Sequence, residues 1–191
     1  MKDIKKWKIL NSQLVVNNYW CKVRQDEIEL PNGKVIDDYF INIRLDVALI
    51  LPITSNQEII FVRQYRHGAG EILLELPAGT FDAQVEDAAT AALRELKEET
   101  GYLAETAIPL GILYDNPVKD SNKIYLFLAQ DVKKVALQEL DVTEDIEVIR
   151  IPIPKIMEKI AAREINVAGT VAAIFMGFKY LQQFPFSTHE I

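Results

Sequence analysis

Between Glu75 and Tyr102 the chain reads ELPAGTFDAQVEDAATAALRELKEETGY, and its glutamates are the first residues with chemistry to offer. From Glu86 or Asp87 to Thr100 the spacing predicts one long helix, with Gly101 where a left-handed C-terminal residue is wanted. On a helical wheel Ala89, Leu93, Leu96 and Thr100 form one stripe, and Glu95 and Glu99 lie side by side at its edge. Glu98 stands three residues from Glu95, so three carboxylates crowd one patch. Each like-charged pair costs a helix about 0.2–0.5 kcal/mol, and an Arg94–Glu98 pair offsets only part of that. A divalent cation would remove the conflict, and an all-oxygen donor set selects hard ions such as Mg²⁺ or Mn²⁺. The irregular, Gly-containing segment Pro77-Ala78-Gly79 lies on the N-terminal side, where a free carbonyl could add a further ligand. The competing reading is a solvated, charge-rich helix face with no site.

Such a helix needs a scaffold. The runs VALILPI (47–53) and EIIFVRQYR (58–66) are apolar and β-branched, separated by the turn-like Thr54-Ser55-Asn56-Gln57. ILLEL (72–76) makes another short strand, ended by Pro77 and Gly79. Further strands are predicted at 108–114, 123–129 and 146–151. Two helices close the chain, about 154–164 and 167–183, the latter with Asn166 as candidate N-cap. Ahead of all this, strand-like runs at 19–30 and 34–43 flank Pro31-Asn32-Gly33, and Asn-Gly between strands signals a hairpin. A long, polar hairpin is marginal alone, so it is expected to pack on the rest of the domain or on a second subunit. Strands, a helix, strands, then helices amount to an α+β layered domain.

Composition bounds the function. The chain has 191 residues and 21.7 kDa, room for one substantial domain or for one domain plus a small appendage. With 49% hydrophobic and 26% charged residues it reads as globular, neither disordered nor collagenous. A formal net charge of -7 argues against nucleic acid as a partner, which would demand clustered positive charge. A small anionic ligand is still allowed, held by local Arg residues or cations. Cys21 is the single cysteine, so no internal disulfide forms and a reducing compartment is expected. Cys21, His67 and His189 are too few for a structural zinc site and are assigned no part in the chemistry. The N-terminal MKDIKKWKIL lacks the apolar core of a signal peptide, and the longest apolar stretch, 167–178, is too short to span a bilayer. The expectation is a cytoplasmic protein with no membrane partner.

The glutamate segment resembles the Nudix box, G-x5-E-x7-R-E-U-x-E-E-x-G-U, where U is apolar or aromatic. Glu86, Arg94, Glu95, Leu96, Glu98, Glu99, Gly101 and Tyr102 fall in register. Chance agreement with its REUxEExG core is on the order of 10⁻⁷ per position. One departure stands out: six residues, not five, separate Gly79 from Glu86, and Val85 replaces the usual glycine, which predicts a slightly longer loop. The resemblance, extending over about 19–185, implies a Nudix-like α/β/α sandwich with a mixed β-sheet over 44–191. A small antiparallel β element over 1–43 would precede it and serve dimerisation and nucleotide contacts. It also implies Glu95 and Glu99 as main metal ligands, helped by Glu98 and the Ala78 carbonyl, with Arg94 orienting the glutamates. Nudix enzymes hydrolyse a nucleoside diphosphate linked to another group. The physical logic is that a pyrophosphate repels an attacking water until divalent ions neutralise it.

Residues outside the box resemble the ADP-ribose pyrophosphatase branch of that family. VRQYR (62–66) before ELPAG implies that Arg66 contacts the diphosphate, while Arg63 reads better as a surface ion pair. Arg44, just before DVALILP, matches a second phosphate-binding Arg, and guanidinium groups suit that task through bidentate bonding. Pro117, 15 residues beyond Tyr102, resembles the proline that marks ADP-ribose hydrolases; the Gly and aromatic residue that usually follow it are Val118 and Lys119 here. In DVTEDIEVIRIP (141–152), Glu144 matches the loop carboxylate that positions or deprotonates the water, with Glu147 as the alternative. Trp20, Tyr39 and Phe40 are candidates for stacking on adenine, and in this branch the N-terminal strands commonly cross to a second subunit, implying a homodimer. The reading is a Mg²⁺-dependent pyrophosphohydrolase cleaving ADP-ribose to AMP and ribose 5-phosphate. GDP-mannose or another nucleotide sugar is the alternative substrate, and a nucleotide-sugar sensor without turnover is the alternative class.

Overall fold

A computed structural model describes residues 3–182. The chain divides into two compact units, one of residues as far as Leu45 together with Tyr114–Asn122, the other of Asp46–Leu113 and residues from Lys123 onward.

The first unit is a three-stranded antiparallel sheet of β1 (Lys8–Asn17), β2 (Lys22–Glu29) and β3 (Val35–Asn42), in that order. The β2–β3 hairpin closes through Pro31-Asn32-Gly33, where Leu30 N–H reaches the Lys34 carbonyl at 2.8 Å. β1 is an addition to the expected two strands. Its centre, Asn11-Ser12-Gln13, hides the strand from a pattern reading, and its register against β2 slips at two places. One of its polar groups has a structural use: Ser12 Oγ donates to Asp26 at 2.6 Å, a carboxylate that also takes Arg24 and is 3% exposed. Every residue of β1 is exposed. Residues 114–122 join this unit through Asn42 N–H to the Lys119 carbonyl (2.7 Å) and Ser121 N–H to the Asn42 carbonyl (3.0 Å).

The second unit is built on a seven-stranded mixed sheet. Its strands are β4 (Asp46–Ile53), β5 (Glu58–Arg66), β6 (Glu71–Glu75), β7 (Ala78–Phe81), and, beyond helix α1 (Ala88–Thr100) and the two-residue β8 (Tyr102–Leu103), β9 (Ile108–Leu113) and β10 (Ile124–Gln130). The two-residue β11 (Lys133–Lys134) pairs with β8, and β12 (Glu147–Pro152) returns to the sheet. The order is β12-β5-β4-β10-β9, with β6 on β5 and β7 on β4. β4 and β10 run parallel, from Val47 opposite Ile124 to Ile53 opposite Gln130. Helices α2 (Ile156–Ala161) and α3 (Ala168–Tyr180) follow.

β4 is apolar along nearly its whole length because both of its faces are covered. Ala48, Ile50, Ile60 and Phe127 pack with Ala91, Ala92 and Leu96 of α1. Leu49, Leu51, Phe61 and Leu128 pack instead with Ile156, Ile174 and Phe178 of α2 and α3. The result is helix, sheet, helix, the α/β/α arrangement expected.

Three local expectations need correction. Pro77-Ala78-Gly79 is not an irregular loop: Ala78 and Gly79 sit opposite Leu49 and Ala48 in the ladder, and the Pro77 carbonyl accepts Ile50 N–H at 3.0 Å. The helix expected at 154–164 is a single 3-10 turn (Ile153–Lys155) and the short α2, and the chain then turns through Arg163 at φ 63. Asn166 does not cap α3; Val167 holds the N-cap position and makes no side-chain cap bond. The expected end of that helix at 183, and His189, lie outside the described residues. Among the described residues no helix is long and apolar enough to cross a membrane.

Candidate active site

α1 begins at Asp87, whose carboxylate accepts the N–H groups of Ala89 and Thr90, both at 3.0 Å. It ends at Gly101, in the left-handed region at φ 72, whose N–H returns to the Lys97 carbonyl at 2.8 Å. The face it buries is turned from the expected stripe. Ala91, Ala92, Leu96 and Thr100 are inside with Glu95 and Glu99, while Ala89 and Leu93 are only partly covered. Glu95 is 9% exposed and Glu99 2%. Both carboxylates therefore sit inside the contact between α1 and β7, not at its rim.

β7 is shaped for them. A Cβ on Gly79 would overlap the Glu95 carboxylate, so glycine here lets that carboxylate lie against the strand. Ala78 N–H donates to Glu99 Oε2 at 3.0 Å. Burial pushes the Glu99 carboxyl up to about 8, the negative charge of Glu95 adds to the rise, and the Ala78 bond opposes it. Burial also raises Glu95, against the pull of Arg94.

Arg94 does more than pair with Glu98. Its Nη1 donates to Glu95 Oε1 and Glu98 Oε2, both at 2.8 Å, while Nε and Nη2 each reach Glu86 at 3.1 Å. Those bonds, Glu86 foremost, hold the guanidinium well above its ordinary range. Repulsion between Glu95 and Glu98 is thus relieved by one arginine that also takes Glu86 from ahead of the helix, whereas the Glu99 carboxylate bonds Ala78 instead. Among the described residues no three His, Cys, Asp or Glu side chains converge as a ready-made metal cage. Glu95 and Glu98 are turned onto Arg94, and Glu99 onto Ala78.

The loop before β12 faces this cluster. Glu139, Asp141 and Glu144 line a cavity of about 240 Å³ together with Gly79, Thr80, Arg94, Glu95 and Glu98. Glu144 accepts Asp141 N–H at 3.0 Å, and its charge contributes to raising both Glu95 and Glu99. Glu147 does not line that cavity; it stands opposite Arg63 in the β5–β12 ladder, in an ion pair of 2.6 Å. Glu139 and Asp141 were not expected here, although the acidic run ELDVTED is a visible signal for them. Thr80 carried no such signal.

Arg66 donates to Glu75 at 2.6 Å, and its charge also favours the ionised form of Glu99. The remaining candidates belong to the first unit. Arg44 meets Asp120 at 3.3 Å. Pro117 lies in a turn closed by Lys119 N–H on the Asn116 carbonyl at 3.0 Å. Tyr39 donates to the Val118 carbonyl at 3.1 Å, with Trp7 edge-on to its ring and the Lys119 ammonium 4.8 Å from the ring centre. Trp20 is 79% exposed against Tyr19. Cys21 is free and exposed.

Comparison with known proteins accords with this geometry. Residues 7–42 match the nucleoside diphosphate sugar hydrolase N-terminal domain, and residues 43–167 match the NUDIX domain. An ADP-ribose pyrophosphatase of Bacillus subtilis (strain 168) is 33% identical over 158 residues, 82% of either chain. A methanol dehydrogenase activator of Bacillus methanolicus is 32% identical over 176 residues, 92% of either chain. A crystal structure of an ADP compounds hydrolase superposes with a TM-score of 0.83 at 28% identity, covering 97% of this chain and 99% of the other. A domain match over most of the sequence, α1 and its glutamates included, makes this chain a member of the NUDIX family of pyrophosphohydrolases.

Proposed function

We propose that the protein hydrolyses ADP-ribose to AMP and ribose 5-phosphate with Mg²⁺ as cofactor and Mn²⁺ as a substitute. The observation that carries this reading is the pair Glu95 and Glu98 of α1 on one cavity wall, with Glu99 buried beside them against Ala78 and the acidic loop of Glu144 on the facing wall. The relatives described as ADP-ribose pyrophosphatase and ADP compounds hydrolase support the choice of substrate.

NUDIX hydrolases generally use divalent metal ions, and the residues present fit one. The donors are carboxylate oxygens, the absent side chain of Gly79 gives the Glu95 carboxylate its place against β7, and Glu99 is buried against a single backbone N–H. Glu95, Glu98 and Glu99, with the Ala78 carbonyl, would hold the ion. When bound, it supplies the Lewis-acid charge that offsets the diphosphate oxygens.

The chain's own groups do the rest. Arg94 holds the Glu95 and Glu98 carboxylates in place. Arg66 offers its guanidinium to the diphosphate, a planar donor suited to two phosphate oxygens at once. Glu144 takes the proton of the attacking water as its oxygen bonds to phosphorus and the phosphoanhydride breaks. One water is consumed, and two phosphate monoesters leave. The assignment of Arg44 and Pro117 to the substrate rests on the likeness of their motifs, and that of Tyr39 on its aromatic ring in the N-terminal hairpin.

Two wider features belong to the same proposal. The exposed apolar residues of the first unit, Trp7, Ile9, Leu14 and Val16 among them, suit a homodimer. A lone cysteine suits the cytoplasm. Purified protein given Mg²⁺ and a panel of nucleotide sugars should release AMP and ribose 5-phosphate from ADP-ribose fastest. A tenfold or greater preference for GDP-mannose overturns the choice of substrate, and absence of turnover on every member favours a sensor.

A further inference from the structure

The last turn of α1 presents carbonyls that no helical N–H can reach. The segment 135–139 takes them up. Glu139 N–H bonds the Glu98 carbonyl at 2.8 Å, and the N–H groups of Val135 and Ala136 bond the Gly101 carbonyl at 3.0 and 3.1 Å. The Glu99 carbonyl is met by a side chain instead. Gln138 Nε2 donates to it at 2.7 Å, and the same nitrogen donates to the Ile146 carbonyl at 3.1 Å. Both neighbours are acceptors, so the amide can face them only with its NH₂, and both of its hydrogens are used.

Ile146 is buried and immediately precedes β12, so these two bonds close the loop at its root. Between Gln138 and Ile146 lie Glu139, Asp141 and Glu144, the residues that face Arg94, Glu95 and Glu98 across the cavity. The Gln138 amide thereby ties the backbone of Glu99 to the far end of the acidic loop at Ile146, while Glu139 N–H holds the near end to the Glu98 carbonyl. Resting on the assignment of Glu144 as proton acceptor, we infer that Gln138 is a positioning residue, which registers the Glu144 loop against the glutamate-bearing end of α1. Misplacing a reacting group by about 1 Å can cost on the order of 10²-fold in rate. Neither Glu, which has no donors, nor Met, which has the length alone, can replace the amide.

A double-mutant cycle of Gln138→Met and Glu144→Gln on the full chain, with Mg²⁺ and ADP-ribose, tests the inference. Gln138→Met should lower kcat by about 10- to 100-fold with KM within about twofold. In the Glu144→Gln background the added loss should be less than about twofold, because the group being positioned is already disabled. Amide hydrogen exchange at 139–145 should quicken in Gln138→Met while that of α1 stays unchanged. An unchanged kcat, an equal loss in both backgrounds, or faster exchange throughout α1 overturns the inference. If Glu144→Gln keeps full activity, the Glu144 assignment falls and takes the inference with it; a slow Glu144→Gln with additive losses overturns the inference alone. Should the Met variant not accumulate as folded protein, Gln138→Asn, which keeps the donors on a shorter arm, gives the same comparison.

Discussion

Glu99 keeps its buried carboxylate 3.0 Å from the N–H of Ala78, one hydrogen bond for a charge that is otherwise enclosed. That is a poor resting place for an anion and a good one for an anion awaiting a cation. Glu99→Gln removes the charge but preserves the shape and one oxygen acceptor for Ala78. Turnover with Mg²⁺ should fall by about 100-fold or more, at or beyond the upper end of the roughly 10–100-fold lost when a residue that only supports a metal ligand is changed. The metal-free variant should melt no lower than the parent. Wild-type activity in this variant removes Glu99 from the metal site.

The same carboxyl makes the metal-free fold sensitive to pH. Its folded value is pushed up to about 8 from an ordinary 4.5, so the folded chain holds a proton that the unfolded chain releases. The stabilisation is complete below about pH 4.5 and is lost progressively as pH rises through about 8; the direction for Glu95 is the same. Unfolding free energies from urea titrations in EDTA should therefore drop from pH 5 to pH 8, by up to about a few kcal/mol. Glu99→Gln should flatten that slope. An equally steep slope in the variant assigns the effect to other groups.

Glu144→Gln should slow kcat by about 10²–10⁴-fold, the range for removing an acid–base group, with a much smaller change in KM. Glu147→Gln should leave kcat near the parent value, because its carboxylate is spent on Arg63, at 2.6 Å, outside the cavity. Reversal of the two results would exchange their roles.

The layered fold and the glutamate helix are legible in the sequence because each is written in local periodicity: two-residue alternation or apolar runs in β4 and β5, 3.6-residue spacing in α1. What escapes is whatever depends on a distant partner. β1 reads as polar at Asn11-Ser12-Gln13 because the use of Ser12 becomes visible only with Asp26 in place. β7 is masked by Pro77 and Gly79, residues that usually end strands; there the glycine serves Glu95. The Arg94–Glu98 pair is foreseeable from i,i+4 spacing, whereas Glu86 reaches Arg94 from beyond the helix. Gln138 carries no motif at all, and its two carbonyl partners are contributed by different segments.

Arg94→Lys is not a conservative change here. A lysine keeps one charge but cannot present the fork that reaches Glu86, Glu95 and Glu98 together. Mg²⁺ affinity, measured by titration calorimetry, should weaken by about 10–100-fold, as for other residues that hold metal ligands in place. The KM for ADP-ribose at saturating Mg²⁺ should change little. A large rise in that KM with unaltered Mg²⁺ affinity would mean that Arg94 touches substrate instead of orienting glutamates.

Gly79→Ala asks whether strand and helix must approach as closely as they do. A methyl group at this position would overlap the Glu95 carboxylate, so Glu95 must swing away from Arg94 or β7 must shift off α1. A swung side chain leaves the global melt nearly intact while Mg²⁺ binding and turnover collapse. A shifted strand also loses the Ala78–Glu99 bond and lowers the melting temperature by several degrees, about what 1–2 kcal/mol produces in a chain of this size. The first outcome is expected, because a carboxylate side chain yields more easily than a strand whose ladder runs from Asp46–Phe81 to Leu49–Ala78. Unimpaired Mg²⁺ binding in Gly79→Ala would show that the position of Glu95 does not govern the site.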